Sequence, residues 1–253
     1  MIKIICGKTE KEASLRAAEV MADVVKNNPT GVIGLATGSS PINMYKELIR
    51  MYESGEISFK DIRSVNLDEY VGLSADHDQS YAYFMHDNLF NHVDILEENT
   101  NLPNGLASDP SAECKRYDAV IDSMGGVDIQ LLGIGNNGHI GFNEPDNHFP
   151  KTTSLINLTD STIDANSRFF ASRDLVPTQA ISMGIGQIMK AKKILLVAFG
   201  TGKADILEKS LFGNVTPEVP ASILQFFSGE VVVCADEAAL SRIIEKHPEA
   251  VSR

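Results

Sequence analysis

Six short apolar runs, spread over the whole chain and separated by segments of helical periodicity, restrict its fold more than any other feature. They fall at residues 2–6, 32–36, 64–67, 129–133, 194–199 and 231–235. Most are continuously apolar rather than alternating, which is the pattern of strands covered on both faces. Between them, Thr9 and Glu12 have capping-box spacing ahead of a helix running to about Lys26, and Ser40-Pro41 reads as an N-cap followed by proline at the first helical position. Asp236 opens a C-terminal helix through Leu240 and Ile244 in the same way. Strand and helix in alternation predict an α/β chain with a mostly parallel, doubly wound, Rossmann-like sheet and helices on both faces. No linker, low-complexity tract or internal repeat interrupts the pattern, so residues 1–253 are expected to form a single domain.

Charge and cysteine usage narrow the partners. The chain has 34 Asp plus Glu against 22 Lys plus Arg, a formal net charge of −12. An acidic field of that size disfavours nucleic acid and anionic membrane surfaces as partners. Cys6, Cys114 and Cys234 are odd in number and widely spaced, which fits neither a disulfide framework nor a metal knuckle. Reduced, buried thiols of a soluble cytoplasmic protein are expected. No apolar stretch is long enough for a membrane span, and the short run at residues 2–6 is no signal peptide.

In open parallel sheets, ligands bind beyond the carboxyl ends of the strands. Four such ends carry chemistry. Ala36-Thr37-Gly38-Ser39-Ser40-Pro41 is a glycine and hydroxyl turn entering a helix; it reads either as an anion site of backbone and hydroxyl donors or as a plain N-cap. Asn66-Leu67-Asp68-Glu69-Tyr70 closes the third strand as a polar turn, and its carboxylates are candidates for a general base tuned by burial and by each other. The segment from Gly133 through Gly135, Asn136, Asn137, Gly138 and His139 to Glu144-Pro145 contains a G-x-G-x-x-G match, but it lies in mid-chain and Pro145 interrupts soon after, so it is no dinucleotide fingerprint. It does bring His139 and Glu144 together as a candidate acid/base pair, a setting that the histidines at 77, 86, 92, 148 and 247 lack. Gly200-Thr201-Gly202-Lys203 puts a lysine at the start of a helix without Walker spacing, since Val197 stands where the first glycine is required. Lys203 and Arg168 are the candidate cations for a phosphate.

These segments, with Asn166-Ser167-Arg168-Phe169-Phe170 and Gly202-Lys203-Ala204, resemble the glucosamine-6-phosphate deaminase family in order and spacing over nearly the full chain. The resemblance implies an enzyme needing neither metal nor cofactor, which turns glucosamine 6-phosphate and water into fructose 6-phosphate and ammonia. It implies that His139 moves a proton at the ring oxygen, with Glu144 orienting and tuning it. Asp68 would carry the C2 proton to C1 through an enediol-type intermediate. Thr37, Gly38, Ser39, Arg168 and Lys203 would hold the phosphate, and a segment around 150–180 would act as a lid. The partner is thus a small molecule; homo-oligomerisation is compatible with the sequence but not dictated by it.

Two departures from the family pattern matter. Asn137 stands where many members have aspartate, so a neutral amide there orients the imidazole without favouring its charge; it is kept among the catalytic-site residues. Residues 153–157 are uncharged where allosteric members carry basic residues, so activation by N-acetylglucosamine 6-phosphate is expected to be weak or absent. The competing readings are a 6-phosphogluconolactonase-like hydrolase, which needs no proton transfer at C2 and could dispense with Asp68, and a non-enzymatic sugar-phosphate sensor, which would need a DNA-reading module that this chain lacks.

Overall fold

The computed structural model describes residues 1–252, with positions 161, 165 and 169 as backbone only. In chain order the elements are β1 (Ile2–Gly7), α1 (Glu10–Asn27), β2 (Val32–Leu35), α2 (Ile42–Glu53), β3 (Arg63–Asn66), β4 (Asp68–Tyr70), α3 (Tyr81–Asn88), β5 (Thr100–Asn101), α4 (Pro110–Ser123), β6 (Ile129–Leu132), β7 (Ser154–Asn157), α5 (Asp160–Asn166), β8 (Gln179–Ser182), α6 (Ile185–Ile188), β9 (Lys193–Ala198), α7 (Ala204–Phe212), β10 (Glu230–Asp236), α8 (Ser241–Lys246) and β11 (Val251–Ser252). Among the described residues the strands make two sheets. The larger has eight parallel strands in the order β11-β1-β10-β9-β6-β2-β3-β5; the smaller has three antiparallel strands in the order β4-β8-β7. Every strand expected from the apolar runs is present in the larger sheet, with ends displaced by one residue at most. Its central strands β6, β9 and β10 are buried almost throughout.

The helix starts are partly as expected. Thr9 caps α1 by accepting the Glu12 amide at 3.3 Å, while the Glu12 carboxylate accepts the Lys8 amide at 3.0 Å. At α2 the proline itself takes the cap position, in helical conformation and without a side-chain cap bond, so Ser40 stays in the preceding bend. Asp236 does not open a helix. It ends β10, its carboxylate accepts the amides of Gly200 and Ala239, and α8 begins only at Ser241. Nor does Asp68-Glu69-Tyr70 merely turn: it is a strand of the smaller sheet, with Asp68 opposite Ser182 and Tyr70 opposite Ala180.

The order of the larger sheet reverses between β2 and β6. From β2 the chain winds outward to β3 and β5, and from β6 it winds the other way to β9 and β10. The crevice beyond the carboxyl ends of β2 and β6 is therefore the expected ligand position. Two buried tyrosines secure its edges. The Tyr45 hydroxyl of α2 donates to the Ala36 carbonyl at 2.6 Å and accepts the Ala36 amide. The Tyr117 hydroxyl of α4 does the same for Asn66, donating at 2.6 Å and accepting at 2.9 Å. Each phenol thus satisfies both backbone groups of a residue at a strand end, where the ladder no longer does so. The main core is continuous across this sheet, whereas Tyr70, Phe142, Leu158, Ile163, Val176 and Ala180 form a separate small cluster on the three-stranded one. Among the described residues no helix is long and apolar enough to cross a membrane, and all three cysteines are buried and outside any disulfide.

Candidate active site

A cavity of about 790 Å³ opens at the sheet's switch point. Thr37, Gly38, Ser39, Asp68, Asn137, His139, Arg168 and Lys203 all line it, and Glu144 stands behind His139. The structure thus gathers these nine residues singled out in the sequence, whereas Glu69, the other carboxylate considered for the base, is not in the lining. Tyr81, Asn136, Thr162 and Asn166 join them in its wall.

One side of the cavity suits an anion. Residues 37–40 follow β2 and lead into α2, and this glycine and hydroxyl turn lines the crevice. Gly38 has φ +89°, and no atom lies within 4 Å of where its Cβ would be, so the demand for glycine here is conformational. Lys203 caps α7 and donates from Nζ to Asn136 Oδ1 at 2.7 Å; burial lowers its pKa. Arg50, Arg116, Lys192 and Arg242 each lie against a carboxylate. Lys203 instead leans on a neutral amide, which leaves its positive charge to a ligand. Arg168, in the turn after α5, brings a second cation to the same cavity.

The other side carries proton-transfer groups. Asp68 is 6% exposed, and burial, together with the neighbouring Glu69, pushes its carboxyl up to about 8. Glu69 points elsewhere. It accepts the amides of Tyr70, Tyr81 and Ala82 at 2.8–2.9 Å, so it caps α3 and ties that helix to β4. Burial raises Glu69 to about 6 although those three amides pull the other way. The acidic pair therefore divides into one carboxylate facing the cavity and one serving as a brace. Tyr81, placed by this brace, keeps its phenol protonated because burial raises its pKa well above the ordinary value.

His139 Nδ1 lies 3.3 Å from Glu144 Oε1, at ion-pair distance but without the alignment of a directed hydrogen bond. Its ring rests on Gly135: a Cβ there would lie 2.3 Å from the His139 Cε1 atom, so any side chain at 135 would displace the imidazole. Burial favours the neutral form of Glu144, but His139, Thr162 and Asn137 outweigh it and hold the carboxyl at about 2. Asn137 donates from Nδ2 to Glu144 Oε2 at 2.6 Å and accepts the His139 amide on Oδ1 at 3.1 Å. Its amide accordingly meets the carboxylate and the loop backbone, not the imidazole ring that the sequence analysis expects it to orient. An aspartate at 137 would face Glu144 charge to charge.

Sequence reasoning missed Tyr81, Asn136 and Thr162 as contributors. Asn136 lies beside Asn137 in the same loop, and Thr162 precedes Arg168 by less than two helical turns, so proximity to motif residues was the available signal for both. Nothing local marked Tyr81.

Comparison with known proteins adds an independent line. Residues 8–233 match the family model of glucosamine-6-phosphate isomerases/6-phosphogluconolactonase. The chain is 55% identical over 236 residues to glucosamine-6-phosphate deaminase of Lachnoclostridium phytofermentans, covering 93% of this chain and all of that one. Its fold superposes with a TM-score of 0.92 on a solved structure described as a monomeric glucosamine-6-phosphate deaminase, 45% identical, covering 95% of this chain and 99% of that chain. A 6-phosphogluconolactonase from Trypanosoma brucei shares the fold at a TM-score of 0.75 and 16% identity, covering 96% of this chain and 99% of that one.

Proposed function

The chain belongs to the glucosamine-6-phosphate isomerase/6-phosphogluconolactonase family, and from that premise we propose how its residues divide the work of a deaminase within it. It acts as a glucosamine-6-phosphate deaminase, converting glucosamine 6-phosphate and water into fructose 6-phosphate and ammonia. The phosphate binds Thr37, Gly38, Ser39, Arg168 and Lys203, where hydroxyl and backbone donors and two cations meet in one cavity wall. His139 passes a proton from the C1 hydroxyl to the ring oxygen as the C1–O5 bond opens to the aldehyde, and Glu144 and Asn137 hold its loop and its Nδ1 side, leaving Nε2 for the sugar.

Asp68 then removes the C2 proton and returns it at C1, passing through an enediol-type intermediate. Water adds at C2 of the resulting ketimine and ammonia leaves, so that no atom or electron is left over. A base that serves adjacent carbons has to be one small, fixed group, and a buried carboxylate on a short strand meets that need. The substrate's own C2 ammonium, brought near Asp68, favours the ionised form of the base. The segment around 150–180 acts as a lid that excludes water from the intermediate.

The observation that carries this reading is the presence of Asp68 in the cavity as a second, separate acid/base centre beside the His139–Glu144 pair. A lactone hydrolase requires no proton abstraction at C2. The deciding assay is therefore ammonia release from glucosamine 6-phosphate set against hydrolysis of 6-phosphogluconolactone; release of ammonia is expected, and lactone hydrolysis alone would transfer the chain to the other branch of the family. The buried thiols of Cys6, Cys114 and Cys234, outside any disulfide, support a reducing, cytoplasmic location. The uncharged residues 153–157 support weak or absent activation by N-acetylglucosamine 6-phosphate.

A further inference from the structure

Glu144 is held from three directions. On Oε2 it accepts the Asn137 amide at 2.6 Å. On Oε1 it accepts the Thr162 hydroxyl at 2.7 Å and faces His139 Nδ1 at 3.3 Å. Asn137 and His139 come from the same glycine-rich loop as Glu144. Thr162 comes from α5, between the two strands of the β7–β8 hairpin.

One turn further along α5, Asn166 donates from Nδ2 to the Tyr70 hydroxyl of β4 at 2.9 Å. Residues four apart share a helix face, so this face presents its two amide and hydroxyl donors to both proton-transfer centres: Thr162 to Glu144, and Asn166 to the strand that carries Asp68. Arg168 follows immediately in the next turn. Thr162 is 9% exposed, and its hydroxyl accepts the Thr159 hydroxyl at 3.0 Å while it donates its own proton to the carboxylate.

We propose that Thr162 is a positioning residue which couples the seating of α5 over the cavity to the orientation of Glu144, and through Glu144 to His139. The inference rests on the deaminase reading above. Without the Thr162 hydroxyl, Oε1 retains only the misaligned contact with the imidazole, and the carboxylate can pivot about its bond to Asn137. His139 then loses the group that fixes its Nδ1 side. Arg168 lies on the same segment, so one stretch of chain carries both a cation of the cavity and the hydroxyl that holds Glu144.

Thr162→Val keeps the shape and removes the hydroxyl, and Thr162→Ser restores it. In the full-length enzyme T162V is expected to lower kcat for ammonia release about tenfold, the scale of one buried hydrogen bond to a charged group. KM should stay within about twofold, because the groups that hold the phosphate are untouched, and T162S should return kcat to within about threefold of wild type. Amide hydrogen exchange over residues 160–166, measured without turnover, should rise several-fold in T162V and not in T162S. Wild-type kcat in T162V overturns the proposal, and so does a T162S variant as slow as T162V, since packing of the methyl group would then be the cause. If the wild-type enzyme itself released no ammonia, the deaminase reading would fall, and unchanged exchange in T162V would then sink the coupling on its own.

Discussion

The two sheets build opposite walls of one cavity by opposite means. The eight-stranded sheet supplies the anion-binding wall from strand ends that are locked by Tyr45 and Tyr117 over a continuous core. The three-stranded sheet supplies Asp68 and the α5 donors over a cluster of six buried side chains among the described residues. Thr37 to Ser39, Lys203 and the His139–Glu144 loop thus follow strands of the large sheet, whereas Asp68 and, on the β7–β8 connection, Thr162 and Arg168 belong to the small one. Local stability is uneven in folded proteins, and moving elements are drawn from its lower end.

The sharpest way to break this division is at Asp68. Asp68→Asn should lower kcat by about 10²–10⁴-fold, the usual yield of a positioned general base, while KM stays within a few-fold. Exchange of the C2 proton with deuterated solvent should disappear with it; exchange at the wild-type rate would put the base elsewhere. Next come the two cores. Leu196→Ala in β9, at a fully buried position, should cost about 2–5 kcal/mol in denaturant unfolding. Ile163→Ala in the small cluster should move the global midpoint by less than half as much and show itself chiefly as lost turnover. Equal losses of stability would mean that the two sheets unfold as one unit.

Lys203→Ala tests the binding wall. Losing a charged hydrogen bond of about 1.5–3 kcal/mol should raise KM by about 10- to 150-fold with a smaller change in kcat. An unchanged KM would remove Lys203 from the phosphate site.

The pH profile probes the acidic pair itself. Asp68 and Glu69 have folded pKa values of about 8 and about 6, both above their unfolded values. Groups raised in this way give stability that is complete at low pH and is lost as pH rises through those values. Wild-type Tm should therefore decline between about pH 4 and 8, and Asp68→Asn should flatten the decline, each kcal/mol relieved being worth about 2–4 °C. Because a base must be ionised to act, kcat/KM of the free enzyme should instead climb as pH rises through about 8. A Tm profile that is flat in both proteins would show that Asp68 is more solvated than its burial indicates.

The same division explains what could be read from the sequence. Six of the eight strands of the large sheet were legible because burial on both faces writes them as largely continuous apolar runs; the two-residue edge strands β5 and β11 are too short to do so. The small sheet was not. β4 reads Asp-Glu-Tyr, β7 and β8 are four residues each, and their pairing joins Asp68 to Ser182 across more than a hundred residues of chain. Pairing of that kind leaves no local period to detect. At the site, His139, Glu144, Asp68, Arg168 and Lys203 were legible because chemistry restricts the residue types at strand ends. Tyr81 and Thr162 were not, since a tyrosine at a helix start and a threonine in a first turn have many ordinary uses. The misread start at Asp236 has a similar origin: its carboxylate had two amides to serve before any helix began.

A single residue, Leu67, separates the end of β3 from the start of β4, and it is bonded on both sides: its amide donates to the Leu35 carbonyl of β2, and its carbonyl accepts the Met183 amide just beyond β8. Adjacent Cα atoms are about 3.8 Å apart, so Asp68 stands one residue from a junction that ties β2, β3 and the end of β8 together, and the base takes its place from both sheets at once.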